Sequence, residues 1–522
     1  MKLRNIILGL GALTALSAGA AVFDTPEQSA GIYYAYPAVA DSLPPVPAGY
    51  EPVYVSHYGR HGSRWVIKES IYPDAVNELR AQKIKGNLTP LGDSVIASLE
   101  RAGAHARGHF GELTPLGQRQ HVAIASRLAD RFPSIFGGKA PVTACSSTTP
   151  RCIVSMGAFT GELLRRNPSL NLTTRSTPGE MAVIALDNKG EHGLPARLGT
   201  RERMRSLTGA YYHLRDSLTR SEATASRLFR DPSKVEDLPE LMRNIYDAAI
   251  DIQDCDGLER EQMLLALFTP EDLYDHWQSF NYRMYMQNVC TAMSAGAGPR
   301  SAAPLLERLL DDADRALAAG GESADLRFGH DTVLIRLLAL MGAEGSEGSA
   351  TALADANAAW KSQDVSPMGA NLQMAFFRNG DGDVIVAPRL NEQPLAFRGV
   401  DYLPGAPGFY RWADLSRLWR SAIHPASALI DRVSPGASER FIFEQTDTPD
   451  DFFEISAAMG RPLIRGNNAV NVAAGLNWYL KYFADTHLTW GNMTATLPAE
   501  LPLVKTPVPV SYTHLTLPTN SR

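Results

Sequence analysis

The 522-residue sequence predicts an α/β protein: a doubly wound, mostly parallel sheet with a helical insertion domain, followed by a small C-terminal α+β domain. Two observations predict the first domain. Short strand-like runs end in polar clusters, and an amphipathic helix pattern follows each cluster, which is typical of a parallel sheet covered by helices on both faces. A third observation, the change in residue pattern after Arg420, predicts the second domain.

The N-terminus has the order of a secretory signal peptide. Lys2 and Arg4 precede an apolar run from Ile6 to Ala18 and then small residues, so we expect a signal peptide over residues 1–21. No later apolar run reaches about 18 residues, so no membrane span is expected. The net charge of −6 argues against a general nucleic-acid binder. The sequence therefore predicts a periplasmic or secreted protein.

Two segments near the N-terminus combine strand and helix signals. The run "VYVSHY" predicts a short strand that ends at a Gly-Arg-His-Gly turn. Further on, Thr89 and Thr114 each precede a proline and an amphipathic run, which predicts two helices that these threonines cap.

The same pattern recurs downstream. "PVTAC" predicts a strand, and Thr149 is expected to cap the next helix, which places Arg151 at a helix N-terminus. Residues 165–300 are mostly helical in pattern and predict the insertion domain, in which Thr269 and Asp272 have capping-box spacing. The strand-like "DLRF" then leads to His330 and another helix, and "LQMAFFRNGDGDVIVAPRL" predicts a hairpin.

Three polar clusters thus follow three predicted strands. Ligands of an open α/β sheet bind outside the carboxyl ends of its strands, so His61, Arg151 and His330 are expected to converge despite their separation in sequence. In "GRHGSR", Arg60, His61 and Arg64 lie within five positions, and their positive charges repel unless an anion is present. The pattern therefore predicts an anion site.

A phosphate monoester fits this site. Arg60, Arg64 and Arg151 can donate bidentate, charge-assisted hydrogen bonds to phosphate oxygens. Nearby positive charge lowers a histidine pKa, so His61 is expected to be neutral and able to attack phosphorus.

The other two site residues follow the third strand. Asp331 is the candidate that protonates the leaving oxygen, and His330 is expected to donate a further hydrogen bond to the phosphate. The reaction is expected to pass through a phosphohistidine and to require no metal or cofactor.

The motifs "RHGSR", "LTPLGQRQ", "SSTTPRCIVSM" and "GHDT", in this order, resemble the histidine acid phosphatase branch of the histidine phosphatase superfamily over about residues 45–420. "SHYGRHGSR" with "SSTTPRC" is similar to bacterial multiple inositol-polyphosphate phosphatases. The resemblance implies that His61 is the nucleophile and Asp331 the proton donor. It also implies an exported phosphatase of inositol polyphosphates such as phytate.

One motif departs from the inositol-polyphosphate phosphatases, which typically carry His-Ala-Glu at the donor. This chain has His-Asp-Thr, as in acid phytases and glucose-1-phosphatases. A broad-specificity acid phosphatase or a glucose-1-phosphatase is therefore the alternative. From another class, a non-catalytic protein that binds anionic glycans is the second alternative.

After Arg420 the chain resembles a different family. The signatures "GNN" and "GLNWYLKY" are similar to the N-terminal domain of the α-N-acetylglucosaminidases over about residues 425–504. Three strands, "RFIFEQ", "DFFEIS" and "PLIRG", and one helix, "NAVNVAAGLNWYLKYFA", are expected there, and this domain is expected to fold independently. Its aromatic residues Trp478, Tyr479 and Trp490 are interpreted as core rather than as a sugar platform. Residues 511–522 match neither family and predict a non-native tail.

The sequence contains four cysteines: Cys145, Cys152, Cys255 and Cys290. They lack the close Cys/His spacing of a zinc site. Cys255 and Cys290 can form a disulfide, since export permits one, or all four are buried free thiols. The sequence leaves both alternatives open.

Overall fold

A computed structural model describes residues 22–39, 44–184, 201–294, 296–488 and 494–511. The predicted signal peptide and all but the first residue of the predicted tail lie outside the described residues. Within these ranges, no helix is long and apolar enough to cross a membrane.

The central sheet has eight strands in the order β3-β2-β4-β1-β5-β6-β7, with β8 also paired to β6. The strands are β1 (Glu51–Arg60), β2 (Pro141–Ser146), β3 (Asn171–Arg175), β4 (Ser323–Gly329), β5 (Asn371–Arg378), β6 (Val384–Leu390), β7 (Gln393–Pro394) and β8 (Tyr410–Arg411). Strands β3, β2, β4 and β1 run parallel, whereas β5 to β8 pair antiparallel. The sheet is therefore mixed, because the predicted β5–β6 hairpin extends the parallel half with antiparallel strands.

Helices cover both faces of this sheet, as predicted. The helices on one face are α3 (Pro115–Arg131), α4 (Pro133–Gly137) and α5 (Pro150–Arg166); those on the other are α6 (Pro178–Ile184), α13 (Ala303–Ala319), α14 (Asp331–Met341) and α17 (Trp412–Ile423). Alternate residues of β1 point to opposite faces of the sheet and belong to two different apolar cores. Val55 packs with Ile124 and Phe159 on the first face, and Tyr54 packs with Leu309 on the second. The α/β class is confirmed.

A separate helical domain packs around its own apolar core. Its helices are α1 (Ile71–Ile84), α2 (Pro90–Ala106), α7 (Arg201–Leu218), α8 (Glu222–Leu228), α9 (Leu238–Asp251), α10 (Pro270–Asn288), α11 (Thr291–Ser294) and α12 (Ala297–Arg300), with α15 (Leu353–Ala359) and α16 (Ser362–Val365) beside α10. The predicted insertion over 165–300 differs in two ways. Strand β3 lies within it and joins the sheet, and α1 and α2 enter the helical domain from outside it. Leu79 of α1 and Leu99 of α2 share one core with Leu241 of α9, since each helix has one apolar face to bury.

The predicted helix caps are confirmed in three of four cases. The Oγ1 atoms of Thr89, Thr114 and Thr269 accept hydrogen bonds from backbone N–H groups of the first turn. Thr149 makes no such bond, and its hydroxyl lies 3.4 Å from Nε2 of His330 instead. The Asp272 carboxylate does not complete a capping box, because it accepts hydrogen bonds from Thr224.

The C-terminal unit contains a second sheet, in the order β12-β10-β11-β9. Its elements are α18 (Pro425–Val433), β9 (Ile442–Gln445), β10 (Phe452–Ala458), β11 (Arg461–Gly466), α19 (Ala469–Tyr482) and β12 (Val508–Ser511). The three predicted strands and the helix are present, and β12 is a fourth strand that the sequence did not indicate. Tyr479 is buried, whereas Trp478 is 38% exposed. Trp490 lies outside the described residues.

This unit shares a core with the first domain. Ile442 of β9 and Leu463 of β11 belong to the apolar cluster that contains Trp412 and Trp419 of α17. The backbone N–H of Phe443 also donates to the hydroxyl of Ser421, 2.9 Å away. Residue 420 therefore lies inside a helix that both units cover, and the independence expected of them is not reflected in their packing.

All four cysteines are buried and free, so the free-thiol alternative holds in this structure. The described ranges also contain no cluster of three or more His, Cys, Asp or Glu side chains that could hold a metal ion.

Candidate active site

The predicted site residues converge at the carboxyl ends of three adjacent parallel strands, β2, β4 and β1. His61 follows β1, His330 follows β4, and Arg151 begins α5 after β2. The rings of His61 and His330 are 5.8 Å apart between centroids. Parallel strands end at one edge of the sheet, so residues that are far apart in the sequence form one cluster.

His61 is the buried centre of the cluster, with 2% of its surface exposed. Its Nδ1 lies 2.9 Å from the carbonyl oxygen of Gly62. An Nδ1–H that donates to this carbonyl leaves the lone pair on Nε2. Burial lowers the pKa of His61 well below its usual range, and the positive charges of Arg60, Arg151 and Arg64 lower it further. The imidazole is therefore neutral and has a free lone pair.

Two glycines hold the loop of His61 against helix α3. A Cβ on Gly62 would overlap the backbone of Gly117, and a Cβ on Gly117 would overlap the backbone of Ser63. The backbone N–H of Thr114 donates to the Ser63 carbonyl at 2.9 Å. "LTPLG" is thus a helix start that also fixes the loop of His61. The sequence did not indicate this second role.

Arg60 is fully buried and has three polar partners in this structure. Its Nη1 donates to the backbone carbonyls of Ile32 and Ser366, and its Nη2 lies 2.9 Å from Oδ2 of Asp331. Burial lowers the pKa of Arg60, and the charge of Asp331 opposes this. Arg60 therefore connects the chain before the sheet, the loop after α16 and the candidate proton donor.

Arg64 and Arg151 supply two further guanidinium groups. Arg64 is buried, lies over the ring of Tyr33 at 5.0 Å and donates to the carbonyl of Trp65 at 2.9 Å. Arg151 is partly exposed, and its Nε has no hydrogen-bond partner among the described residues. Burial lowers the pKa of Arg151. Both arginines act on His61 through their charge, as the sequence predicted.

His330 and Asp331 occupy the start of α14. The Nε2 of His330 lies 3.2 Å from the hydroxyl of Ser147, and burial lowers the His330 pKa to about 4. Asp331 accepts a hydrogen bond from the backbone N–H of Thr332. Although burial raises the pKa of Asp331, the charges of Arg60 and His330 lower it more, and the result is below the usual value. Without a ligand, Asp331 is a carboxylate.

A buried acidic pair that the sequence motifs did not indicate lies beside the His61 loop. Asp254 accepts a 2.5 Å hydrogen bond from Ser63, and burial raises its pKa well above the usual range. Asp251 accepts from the N–H of Val66, and burial raises its pKa to about 7 while Arg64 opposes the rise. Three aspartates within the six residues "DIQDCD" (251–256) were the available signal.

Basic residues surround Asp247 of α9 in the helical domain and form a basic patch. Burial raises the pKa of Asp247 to about 6. The charges of four basic residues oppose this rise: Lys68, Arg215, Arg243 and Arg283. Asp247 also acts through its charge on Asp251, which Arg64 approaches. Asp247 and Asp251 are one helical turn apart on α9, so the basic patch lies next to the acidic pair.

Comparisons with known proteins agree with this geometry. Residues 60–390 match the histidine phosphatase superfamily (branch 2), and residues 424–503 match the alpha-N-acetylglucosaminidase (NAGLU) N-terminal domain. No curated protein sequence matches the chain.

Solved structures share the fold. The multiple inositol polyphosphate phosphatase of Bifidobacterium longum, in complex with inositol hexasulfate, aligns with a TM-score of 0.62 and 16% identity over 76% of this chain and 97% of that chain. Its complex with phosphate aligns with a TM-score of 0.61 and 17% identity over 76% and 98%. The phytase from D. castellii aligns with a TM-score of 0.57 and 14% identity over 77% and 85%.

Proposed function

Because the chain belongs to branch 2 of the histidine phosphatase superfamily and is an enzyme of the histidine acid phosphatase type, we propose that it hydrolyses inositol polyphosphates through a phosphohistidine on His61. The observation that carries this proposal is the buried, neutral His61, whose Nε2 is free and which is surrounded by Arg60, Arg64 and Arg151. Phosphate esters are the anions that such an arrangement binds and activates.

In the first step, the Nε2 lone pair of His61 attacks phosphorus, and the bond from phosphorus to the ester oxygen breaks. The proton on the Asp331 carboxyl passes to that oxygen, and the alcohol leaves. In the second step, water attacks the phosphohistidine, Asp331 accepts the proton of the water, and His61 is released with phosphate. These steps use groups of this chain alone, so a chelator is expected to leave the rate unchanged.

Asp331 must be protonated to act as the acid, whereas its contact with Arg60 favours the carboxylate. A bound phosphate dianion offsets the charge of Arg60 and adds a like charge beside Asp331. Both effects raise the pKa of Asp331. We therefore propose that substrate binding itself promotes protonation of the donor.

The basic patch around Asp247 supports a substrate with several phosphates. While one phosphate occupies the His61 cluster, Lys68, Arg215, Arg243 and Arg283 favour further anionic groups nearby. Inositol polyphosphates present such groups around one small ring. The neighbour that was crystallised with inositol hexasulfate makes phytate the first substrate to test.

A broad-specificity acid phosphatase or a glucose-1-phosphatase remains the second candidate, because Asp331 and Thr332 stand where the inositol-polyphosphate phosphatases typically carry Ala-Glu. The two candidates differ in how much the basic patch contributes to substrate binding. Charge removal there, as in Arg283→Gln, raises KM for phytate and not for glucose 1-phosphate if phytate is the substrate.

Phosphate release from phytate, glucose 1-phosphate and an aryl phosphate tests the proposal. We expect phytate to give the highest kcat/KM, and His61→Ala to abolish release from all three. His487→Ala, at a site 58% exposed in the C-terminal unit, is the matched control and should retain full activity. Substantial turnover by His61→Ala would refute the phosphohistidine, and tight binding of phytate without turnover would favour an anionic-glycan binding protein.

We also propose export to the periplasm or medium, on the N-terminal signal-peptide pattern. N-terminal sequencing of the mature protein should find residue 21 or 22 first; a mature protein that begins at Met1 in the cytoplasm would contradict export.

A further inference from the structure

A cavity of about 280 Å³ lies at the junction of the first domain and the C-terminal unit. One wall is formed by the end of α14, the end of α12 and Arg398, and the other by the segment after α18 and the start of β11. The charged side chains that line it are four arginines and two carboxylates: Arg300, Arg398, Arg440, Arg461, Asp431 and Glu439. The lining therefore has an excess of positive charge.

One ion pair in the lining is complete. Arg300 contacts Asp431, whose carboxylate also accepts hydrogen bonds from the backbone N–H and the hydroxyl of Ser438 at 2.9 and 2.7 Å. Asp431 is 2% exposed and has these donors at both oxygens. Its charge is balanced by Arg300, so it offers little neutralisation to the remaining arginines.

The other carboxylate, Glu439, pairs with Arg398, whose Nη2 lies 3.1 Å away. Nη1 of Arg398 also lies 3.7 Å from Glu347, outside the lining, and Nη2 of Arg461 donates to the backbone carbonyl of Arg398 at 3.0 Å. Burial lowers the pKa of Arg461; Glu439 opposes this, and the like charge of Arg398 adds to it. Arg440 donates to the carbonyls of Pro498 and Ala499. Among the described residues, Glu439 thus pairs directly with Arg398 and acts on Arg461 only through its charge.

Two glycines leave room for two of these guanidinium groups. Gly399 has φ +71°, and a Cβ there would overlap the guanidinium of Arg461. Gly296 has φ +72°, and a Cβ there would overlap the guanidinium of Arg300. Both positions combine a left-handed backbone with a close approach, which only glycine accommodates without strain. The arginines are therefore positioned before any ligand arrives.

We propose that this junction cavity is a second anion site, at which Arg398 and Arg461 bind a small tetrahedral oxyanion, orthophosphate above all. Arginine forks match the oxygens of such an ion. Pockets for drug-sized ligands have volumes of roughly 300–1,000 Å³, so this cavity suits a single ion better than a whole inositol hexaphosphate. The site is distinct from the His61 cluster and contacts both units, so the ion stabilises their junction.

Equilibrium dialysis with labelled orthophosphate tests this inference without any turnover. The wild type should bind two ions per chain. Arg151→Gln should lose the ion at the His61 cluster, Arg461→Gln should lose the junction ion, and the double variant should bind neither. Arg432→Gln is the matched control, because Arg432 is exposed on α18 in the same unit and should leave both ions bound. A wild type that binds one ion, lost in Arg151→Gln, would overturn the proposal.

A second variant, Glu439→Gln, distinguishes loss of the ion site from misfolding of Arg461→Gln. It removes the competing carboxylate, so we expect tighter binding of the junction ion, which loss of folding cannot produce. Unchanged or weaker binding would count against the site. The displacement experiment uses His61→Ala, because an active enzyme would release unlabelled orthophosphate from phytate. In this variant phytate should displace only the ion at the His61 cluster, and displacement of both ions would contradict a small-ion site. Failure of phytate to displace either ion would leave the number of bound ions unchanged and contradict the proposed substrate instead.

Discussion

Nη2 of Arg60 lies 2.9 Å from Oδ2 of Asp331, so the candidate proton donor is paired with an arginine of the nucleophile motif. The pair lowers the pKa of Asp331 against the effect of burial. A carboxyl with a lowered folded-state pKa contributes stability above its unfolded pKa of about 3.9, and this contribution is lost as pH falls through the folded value. In the proposed mechanism, substrate must weaken this contact before Asp331 donates a proton.

Replacement of Asp331 by Asn should lower kcat for alkyl phosphates by about 10²–10⁴-fold, the usual contribution of a general acid. Aryl phosphates should lose much less, because their leaving groups need little protonation. Steady-state kinetics with phytate and an aryl phosphate measures the difference. Equal losses on both esters would assign the acid to another residue.

His57 and His121 should make the fold sensitive to acid. Both are buried among the rings of Phe159 and Phe328, and burial lowers their pKa values to about 3 and about 4. The unfolded chain takes up protons below about pH 6.5 and the folded chain does not, so stability falls by up to about 1.4 kcal/mol per pH unit for each group. His57 contributes this loss down to about pH 3 and His121 down to about pH 4.

His121→Phe should reduce that loss, which urea unfolding at about pH 7 and about pH 4.5, on either side of the unfolded histidine pKa, measures. The exposed control His487→Phe should leave the pH dependence unchanged. A His121→Phe variant as acid-sensitive as the wild type would show that His121 is protonated in the folded state.

Gly117→Ala should disturb the nucleophile loop, because its Cβ would overlap the backbone of Ser63. We expect a loss of about 1–3 kcal/mol of unfolding free energy, as in other overpacked sites, together with reduced phosphatase activity. Gly157→Ala in α5 is the control: apart from its chain neighbours and the backbone of its own helix, no atom of the described residues lies within 4 Å of the position that its Cβ would take. Alanine also favours a helix by roughly 0.5–1 kcal/mol. Similar stabilities for the two variants would refute the close approach.

A chain that ends after Ile423 should have a lower Tm than the full chain and a similar kcat/KM. The truncation removes Ile442 and Leu463 from the apolar core that also contains Trp412 and Trp419, while the His61 cluster is retained. Removal of residues 512–522 alone should change neither quantity, because β12 ends at Ser511. An unchanged Tm after truncation at Ile423 would restore the view of two independent units.

The sequence by itself determined the α/β class and the local structure around the site. Thr89, Thr114 and Thr269 cap helices as their order with proline indicates, because a cap depends on only a few neighbouring residues. The turn-rich segment between β5 and β6 forms the predicted hairpin for the same reason. His61, Arg151 and His330 could be brought together because parallel strands end at one edge of the sheet.

Tertiary structure alone decided which partners these residues have. The Arg60–Asp331 pair, the Ser63–Asp254 bond and the contact between Gly62 and Gly117 join positions far apart in the chain, and no periodicity encodes such distances. Likewise, the interior of α17 binds the C-terminal unit, although residue 420 looked like a boundary in the sequence. Local patterns specify secondary structure, whereas buried charge pairs and shared cores depend on how the elements pack, and that is decided only when the whole chain folds.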